Sequence, residues 1–272
     1  MQQLTTPAAQ DNTGREQYSL QDSDFQRTMV TRSAARQGAF FLPYVHPGQH
    51  LLDCGCGPGS ITTDFAKLVA PGQVVGLDIG AGEIERATQR AADLGIANVQ
   101  FRVGDVYALS FEDATFDAVF SNAVLDHLRD PVAALAEMHR VLKSGGVAGI
   151  RTADRDGYLF TPLDPLLEKI IREGEERKAS QGVKVRIGKN IRAMMREAGF
   201  VRVQASASYD SYGTPESVKS FGESMANGTL REKDGTPRDE GLDEMAAAWR
   251  AWAASPDAFF GHALCEGLGW KE

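Results

Sequence analysis

The chain has 272 residues, which at roughly 150 residues per domain fits one large domain or one domain with a substantial insertion. With 37 acidic against 29 basic residues the net charge is −8, and no basic face of the kind that neutralises phosphates is visible, so no nucleic-acid partner is expected. Ordinary globular composition, no apolar run near the ~18 residues of a membrane span, no leader-like N-terminus and only three cysteines read as a soluble, cytoplasmic, disulfide-free protein.

Residues 1–17, rich in Gln, Thr, Asp and Asn, are expected to form a flexible tail. From Ser23 to Leu42 the apolar positions Phe25, Met29, Val30, Ala34, Ala35 and Phe41 predict one amphipathic helix. An alternation follows. His50 to Cys54, Gln73 to Ile79, Val99 to Val103, Phe116 to Ser121 and Val147 to Thr152 read as short, nearly continuous apolar strands of the kind covered on both faces. Residues 61–69, Glu83 to Leu94 and Val132 to Leu142 read as the intervening helices, the second ended by Gly95 and the third begun by Pro131. Strands alternating with helices imply right-handed crossovers, a parallel sheet and an α/β fold.

Beyond Thr152 the pattern breaks. Residues 153–186 carry Pro162, Pro165 and a charged helix from Leu166 to Ala179, and read as an insertion above the sheet. Ile191, Met194, Met195 and Ala198 mark another helix, followed by a strand from Phe200 to Ser208. A second insertion, 213–257, holds a polar loop over 227–241 and a helix with Trp249 and Trp252, read as core; residues 258–268 read as a last strand, with His262 packed or paired in it. Everything from 18 to 272 is expected to be a single domain, with 18–42 as a helical cap and both insertions as lids.

The chemistry concentrates after the first strand, in Asp53-Cys54-Gly55-Cys56-Gly57-Pro58-Gly59-Ser60. Glycines at i, i+2 and i+4 let the backbone turn tightly and approach a ligand at the N-terminus of the next helix. The spacing is not the G-x-G-x-x-G of a nicotinamide site, and Asp53 would repel a pyrophosphate but suits an ammonium group. Asp78, ending the second strand, can accept hydrogen bonds from both hydroxyls of a ribose. A third carboxylate, in Val103-Gly104-Asp105-Val106, suits an adenine amine, with Val106 against the ring. An amino-acid end, a ribose and an adenine together describe S-adenosylmethionine. Cys54 and Cys56 form a pair with no second pair or nearby His at ligand spacing, so no metal site is expected.

With Phe116 to Leu128 closing the fourth strand and Glu137-Met-His-Arg-Val-Leu-Lys-Ser-Gly-Gly before the fifth, residues 50–152 resemble a class I S-adenosylmethionine-dependent methyltransferase. Tyr18 to Leu42 and the closing Cys265-Glu-Gly-Leu-Gly-Trp resemble the ubiquinone/menaquinone-biosynthesis type. The resemblance implies a Rossmann-like, seven-stranded sheet in the order 3-2-1-4-5-7-6, the seventh strand antiparallel. It implies that Gly55, Cys56 and Gly57, with Asp53 nearby, line the methionine part of the cofactor. Asp78 and Ile79 would meet the ribose and adenine, Gly104, Asp105 and Val106 would hold the adenine, and Ser121 and Asn122 would sit beside the sulfonium. His127 with Asp126, just past the fourth strand, are the candidates to handle an acceptor's proton. Tyr18, Phe25, Met29 and His127 are the candidates to contact a small-molecule acceptor. A monomer or homodimer is expected. A non-catalytic S-adenosylmethionine-binding protein and, more distantly, a nicotinamide-dependent oxidoreductase are the alternatives.

Overall fold

Four of the five residues of β1 (His50–Cys54) are buried, because this strand lies inside the sheet with parallel neighbours on both sides. The computed structural model describes residues 30–180, 182–230 and 241–272. Around β1 stand β2 (Gln73–Asp78), β3 (Val99–Val103), β4 (Phe116–Asn122) and β5 (Leu142–Ala153), all parallel. The long β8 (Phe259–Trp270) runs antiparallel to β5, and β7 (Val201–Tyr212) pairs antiparallel with β8.

Set apart from β6 (Leu159–Thr161), the strands follow the order the resemblance implies, with β7 and β8 in the sixth and seventh places. The described residues form eight strands, not seven. The addition has a simple cause: β5 pairs with β8 only as far as Ala153 opposite Leu264, which leaves the edge at Phe259–Gly261 open, and β6 returns to cover it.

One face of the sheet, Leu52, Cys54, Val119 and Ile150, packs on α4 (Pro131–Val141) and α6 (Ile191–Glu197) through Met138 and Met195. The other, Leu51 and Phe120, packs on Phe41 and on Phe65 of α2 (Ser60–Val69). The helix α3 (Ala81–Asp93) buries Ala87 and Ala91 beside β2 and β3.

Two expectations are corrected. Among the described residues, the cap is not one helix to Leu42: α1 (Ala34–Gln37) stops at Gly38, where a Cβ would lie 2.9 Å from the Ala34 carbonyl oxygen, and Pro43 opens a short 3-10 turn. The polar loop does not begin at 227, because α7 (Pro215–Leu230) continues to Leu230. Its Ala226 is fully buried, and Gly222 lets it approach α8 (Gly241–Ala253) so closely that a Cβ there would lie 2.4 Å from Ala253 Cβ. With α5 (Pro165–Ser180) and β6, these helices bury Trp249 and Trp252 in a separate aromatic cluster against Phe260 at the start of β8. No helix of the described residues is long and apolar enough to cross a membrane.

Candidate functional site

The loop after β1 is left-handed at Gly55, Gly57 and Gly59 (φ 78°, 52° and 75°), a conformation that side chains resist. At Gly55 space is short as well, since a Cβ would lie 2.2 Å from Val124 Cγ2. The amides of Gly55 and Cys56 both donate to the Leu77 carbonyl, at 2.7 and 3.0 Å, which ties the loop to β2. Asp78 completes the tie. Its Oδ2 accepts from the Gly57 amide at 2.9 Å, and its Oδ1 accepts from the Gly80 amide at 2.9 Å.

The next strand end follows the same plan. Gly104 donates its amide to the Asp78 carbonyl, where a Cβ would lie 2.6 Å from Leu77 Cδ1, and Asp105 Oδ1 accepts from the Tyr107 amide at 3.0 Å. Val106 is buried beside it, whereas Ile79, just past Asp78, is 48% exposed. An exposed apolar side chain next to the Asp78 position suits a flat, apolar-faced ligand.

Asp53 is buried beneath the loop, accepting from Thr62 Oγ1 at 2.6 Å. Burial pushes its carboxyl up to about 7, and neighbouring Asp78 adds to the rise. A buried acid with that pKa is poised to ionise when a cation arrives. The small cavity here is lined by Arg32, Asp53, Gly55, Cys56, Ser60 and Asn122. Burial raises the thiols of Cys54 and Cys56 as well, so neither is a ready nucleophile.

At the end of β4, Ser121 Oγ donates to the Cys54 carbonyl at 2.9 Å, so its hydroxyl joins two strands. Asn122 Oδ1 accepts from Arg151 Nη1 at 3.2 Å. Ala123 then adopts φ 57°, a left-handed conformation that costs an alanine roughly 1 kcal/mol, and its amide donates to the Arg151 carbonyl at 2.8 Å. The strained turn delivers Asp126 and His127. Asp126 is buried; its Oδ1 accepts from Thr152 Oγ1 at 3.1 Å, and its carbonyl accepts from the Lys184 amide at 2.7 Å. The half-buried His127 places Nε2 3.3 Å from Asp126 Oδ2.

Asp53, Gly55, Cys56, Gly57, Asp78, Ile79, Gly104, Asp105, Val106, Ser121 and Asn122 thus share the carboxyl edge of β1 to β4, with Asp126 and His127 at one end. Tyr18, Phe25 and Met29 lie outside the described residues. Sequence reasoning missed Arg32, which lines the cavity, and a network built on Arg151. The Arg151 side chain is 3% exposed; its Nη2 contacts Asp210 Oδ1 at 3.1 Å, and Nε lies 3.7 Å from Glu266 Oε1. Glu266 in turn accepts from Ser206 and Ser208, and Arg36 reaches Asp210 at 3.4 Å. The signal was a charge inside an apolar run in each of two strands, Arg151 in β5 and Glu266 in β8, which face one another in register.

Known proteins resemble this chain in sequence and in fold. A methyltransferase-domain model matches residues 45–199. The chain is 32% identical over 244 residues, covering 85% of it and 87% of the relative, to an uncharacterized methyltransferase of Schizosaccharomyces pombe. It is 34% identical over 180 residues, 61% of this chain and 70% of the relative, to the ubiquinone/menaquinone biosynthesis C-methyltransferase UbiE of Pseudomonas syringae pv. syringae. Among solved structures, the Bacillus subtilis YcgJ protein superposes with a TM-score of 0.60 at 18% identity, over 88% of this chain and 99% of that one.

Proposed function

The chain belongs to the methyltransferase-domain family as a class I S-adenosylmethionine-dependent methyltransferase resembling the ubiquinone/menaquinone-biosynthesis type, and from that premise we propose that its methyl acceptor is a small, largely apolar molecule. The observation that carries the reading is the row of three carboxylates, Asp53, Asp78 and Asp105, around one glycine loop at the carboxyl edge of the sheet.

These residues fit the cofactor group by group. Asp78 keeps lone pairs beyond its two backbone contacts for the ribose hydroxyls. Asp105 with Gly104 and Val106 would hold the adenine, and the open Ile79 would pack on it. Gly55, Cys56 and Gly57 would line the amino-acid end, where Asp53 meets the ammonium and Arg32 the carboxylate. Asn122, held by Arg151, would border the sulfonium, and Ser121 supports it from the strand below. When bound, the cofactor supplies an electrophilic methyl on a positively charged sulfur.

The protein's part is then position, exclusion of water and proton handling. Segments 153–180, 182–186, 213–230 and 241–257, with 30–42, would close over the edge and define the acceptor pocket, and the aromatic rings they contribute suit an apolar acceptor. His127 would accept the acceptor's proton at a ring nitrogen, and Asp126, fixed by Thr152 and the Lys184 amide, would orient that ring.

A labelled-methyl screen over quinols, phenols, amines, thiols and halides tests the reading. Transfer to a small acceptor at a rate that saturates is the expected result. Cofactor binding without transfer to any of these classes would leave the non-catalytic binding protein as the better account.

A further inference from the structure

His262 of β8 sits two residues beyond Leu264, the partner of Ala153 at the carboxyl end of β5, and pairs in register with Asp210 of β7. Its Nε2 is buried and has no hydrogen-bond partner among the described residues. The ring meets the edge of Tyr158 at 5.0 Å and stacks over Phe260 at 6.3 Å. Native structures rarely leave a buried polar nitrogen unpaired, and one beside an active-site edge calls for a ligand group or a water.

A second unmet group adjoins it. Arg155, in the turn directly after β5, holds its guanidinium carbon 5.7 Å over the Tyr158 ring. It has no carboxylate partner among the described residues, although nearby Arg151 and Arg186 are both paired. Arg155, Asp210, Asp126 and Arg151 all lie within electrostatic reach of His262. A cation stacked on a ring, with no hydrogen-bonded side-chain partner among the described residues, is suited to a planar anion.

The neighbourhood is aromatic and carries another orphan. Phe260 and Phe160 join the cluster of Trp249 and Trp252, and the buried Trp249 Nε1 also has no partner among the described residues. Unpaired polar atoms therefore gather at the seam between the sheet edge and the lid.

We propose that Arg155 and His262, which both contact the Tyr158 ring, form a subsite for the single carboxylate of an otherwise apolar, aromatic methyl acceptor. Arg155 supplies the charge, and His262 supplies a directed hydrogen bond from Nε2. Burial pushes the His262 pKa down to about 4, so the free ring is neutral at neutral pH. The subsite deepens the methyl-transfer reading and rests on it.

The full chain loaded with S-adenosylhomocysteine, titrated with benzoate and with benzyl alcohol as its neutral counterpart, tests the proposal. Benzoate should bind at least tenfold more tightly, and the His262 imidazole nitrogen resonances should move as it binds. Arg155→Met should cost benzoate tenfold or more, Arg155→Lys should recover part of that loss, and S-adenosylhomocysteine affinity should stay at the wild-type value in both. Equal binding of the two probes, unmoved His262 resonances or an indifferent Arg155→Met would overturn the subsite alone. Failure of the wild-type chain to bind S-adenosylhomocysteine would overturn the methyl-transfer reading, and the subsite with it.

Discussion

The carboxylate of Asp78 accepts a hydrogen bond from the backbone amide of Gly57, 21 residues earlier, at 2.9 Å. One side chain at the end of β2 therefore sets the shape of the loop after β1 while facing the proposed ribose position. Loop geometry and ligand recognition are coupled through that carboxylate, and substitutions on either side should affect both.

Gly55→Ala should show the coupling from the loop side. The new Cβ would lie 2.2 Å from Val124 Cγ2 in a backbone with φ 78°. We expect a stability loss of about 2 kcal/mol, from clash and left-handed strain together, with weakened S-adenosylhomocysteine binding. Denaturant unfolding and calorimetry read the two effects, and wild-type values in both would refute the assigned role of this glycine.

Cofactor affinity should depend on pH through Asp53. The free carboxyl titrates at about 7, and an ammonium partner favours its ionised form. Below pH 7 binding must expel the proton, so affinity should fall by up to about tenfold per unit as pH drops. Stability of the free protein takes the opposite sign. With the folded pKa raised above the unfolded one, the group's contribution is full in acid and is lost as pH rises through 7. Titrations at pH 6, 7 and 8 should show the affinity trend and Asp53→Asn should flatten it; a flat wild-type profile would separate Asp53 from the ammonium.

His127→Ala should lower turnover by about 10² to 10⁴ while cofactor affinity holds, the typical range for a general base. Asp126→Asn should fall between, since it loosens a ring held at 3.3 Å without removing it. An alanine variant keeping more than half the turnover would leave positioning as the whole mechanism.

The core of the sheet was legible because β1, β2 and β4 are short apolar runs buried on both faces, and Asp78 stands where one of them ends. At the sheet edge β3 departs from that reading, since none of its five residues is buried and Val103, just before Gly104 and Asp105, is 57% exposed. The Arg151 network was less so. A charge inside Val147 to Thr152 announces that partners exist, but Asp210 and the Ser208 hydroxyl stand 59 and 57 residues away and meet it only once β8 has paired with β5. Three residues of β6 carry no readable period, and the true end of α7 depended on its packing against α8 rather than on its polar residues. Trp249 and Trp252 do form core, as their helical spacing suggested.

Lid behaviour has its own readout. Amides in 153–180, 182–186, 213–230 and 241–257 should exchange more slowly when S-adenosylhomocysteine binds, as expected of segments that close over a site. Identical exchange with and without the ligand would make them ordinary packed structure.

The most direct test of the account is a calorimetric titration of wild type and Asp78→Ala with S-adenosylhomocysteine. Hydrogen bonds to a charged group contribute roughly 1.5–3 kcal/mol each, so the account predicts saturable binding by wild type and a loss of tenfold or more in the variant. Equal affinity in the two proteins, or no binding by wild type, would contradict it.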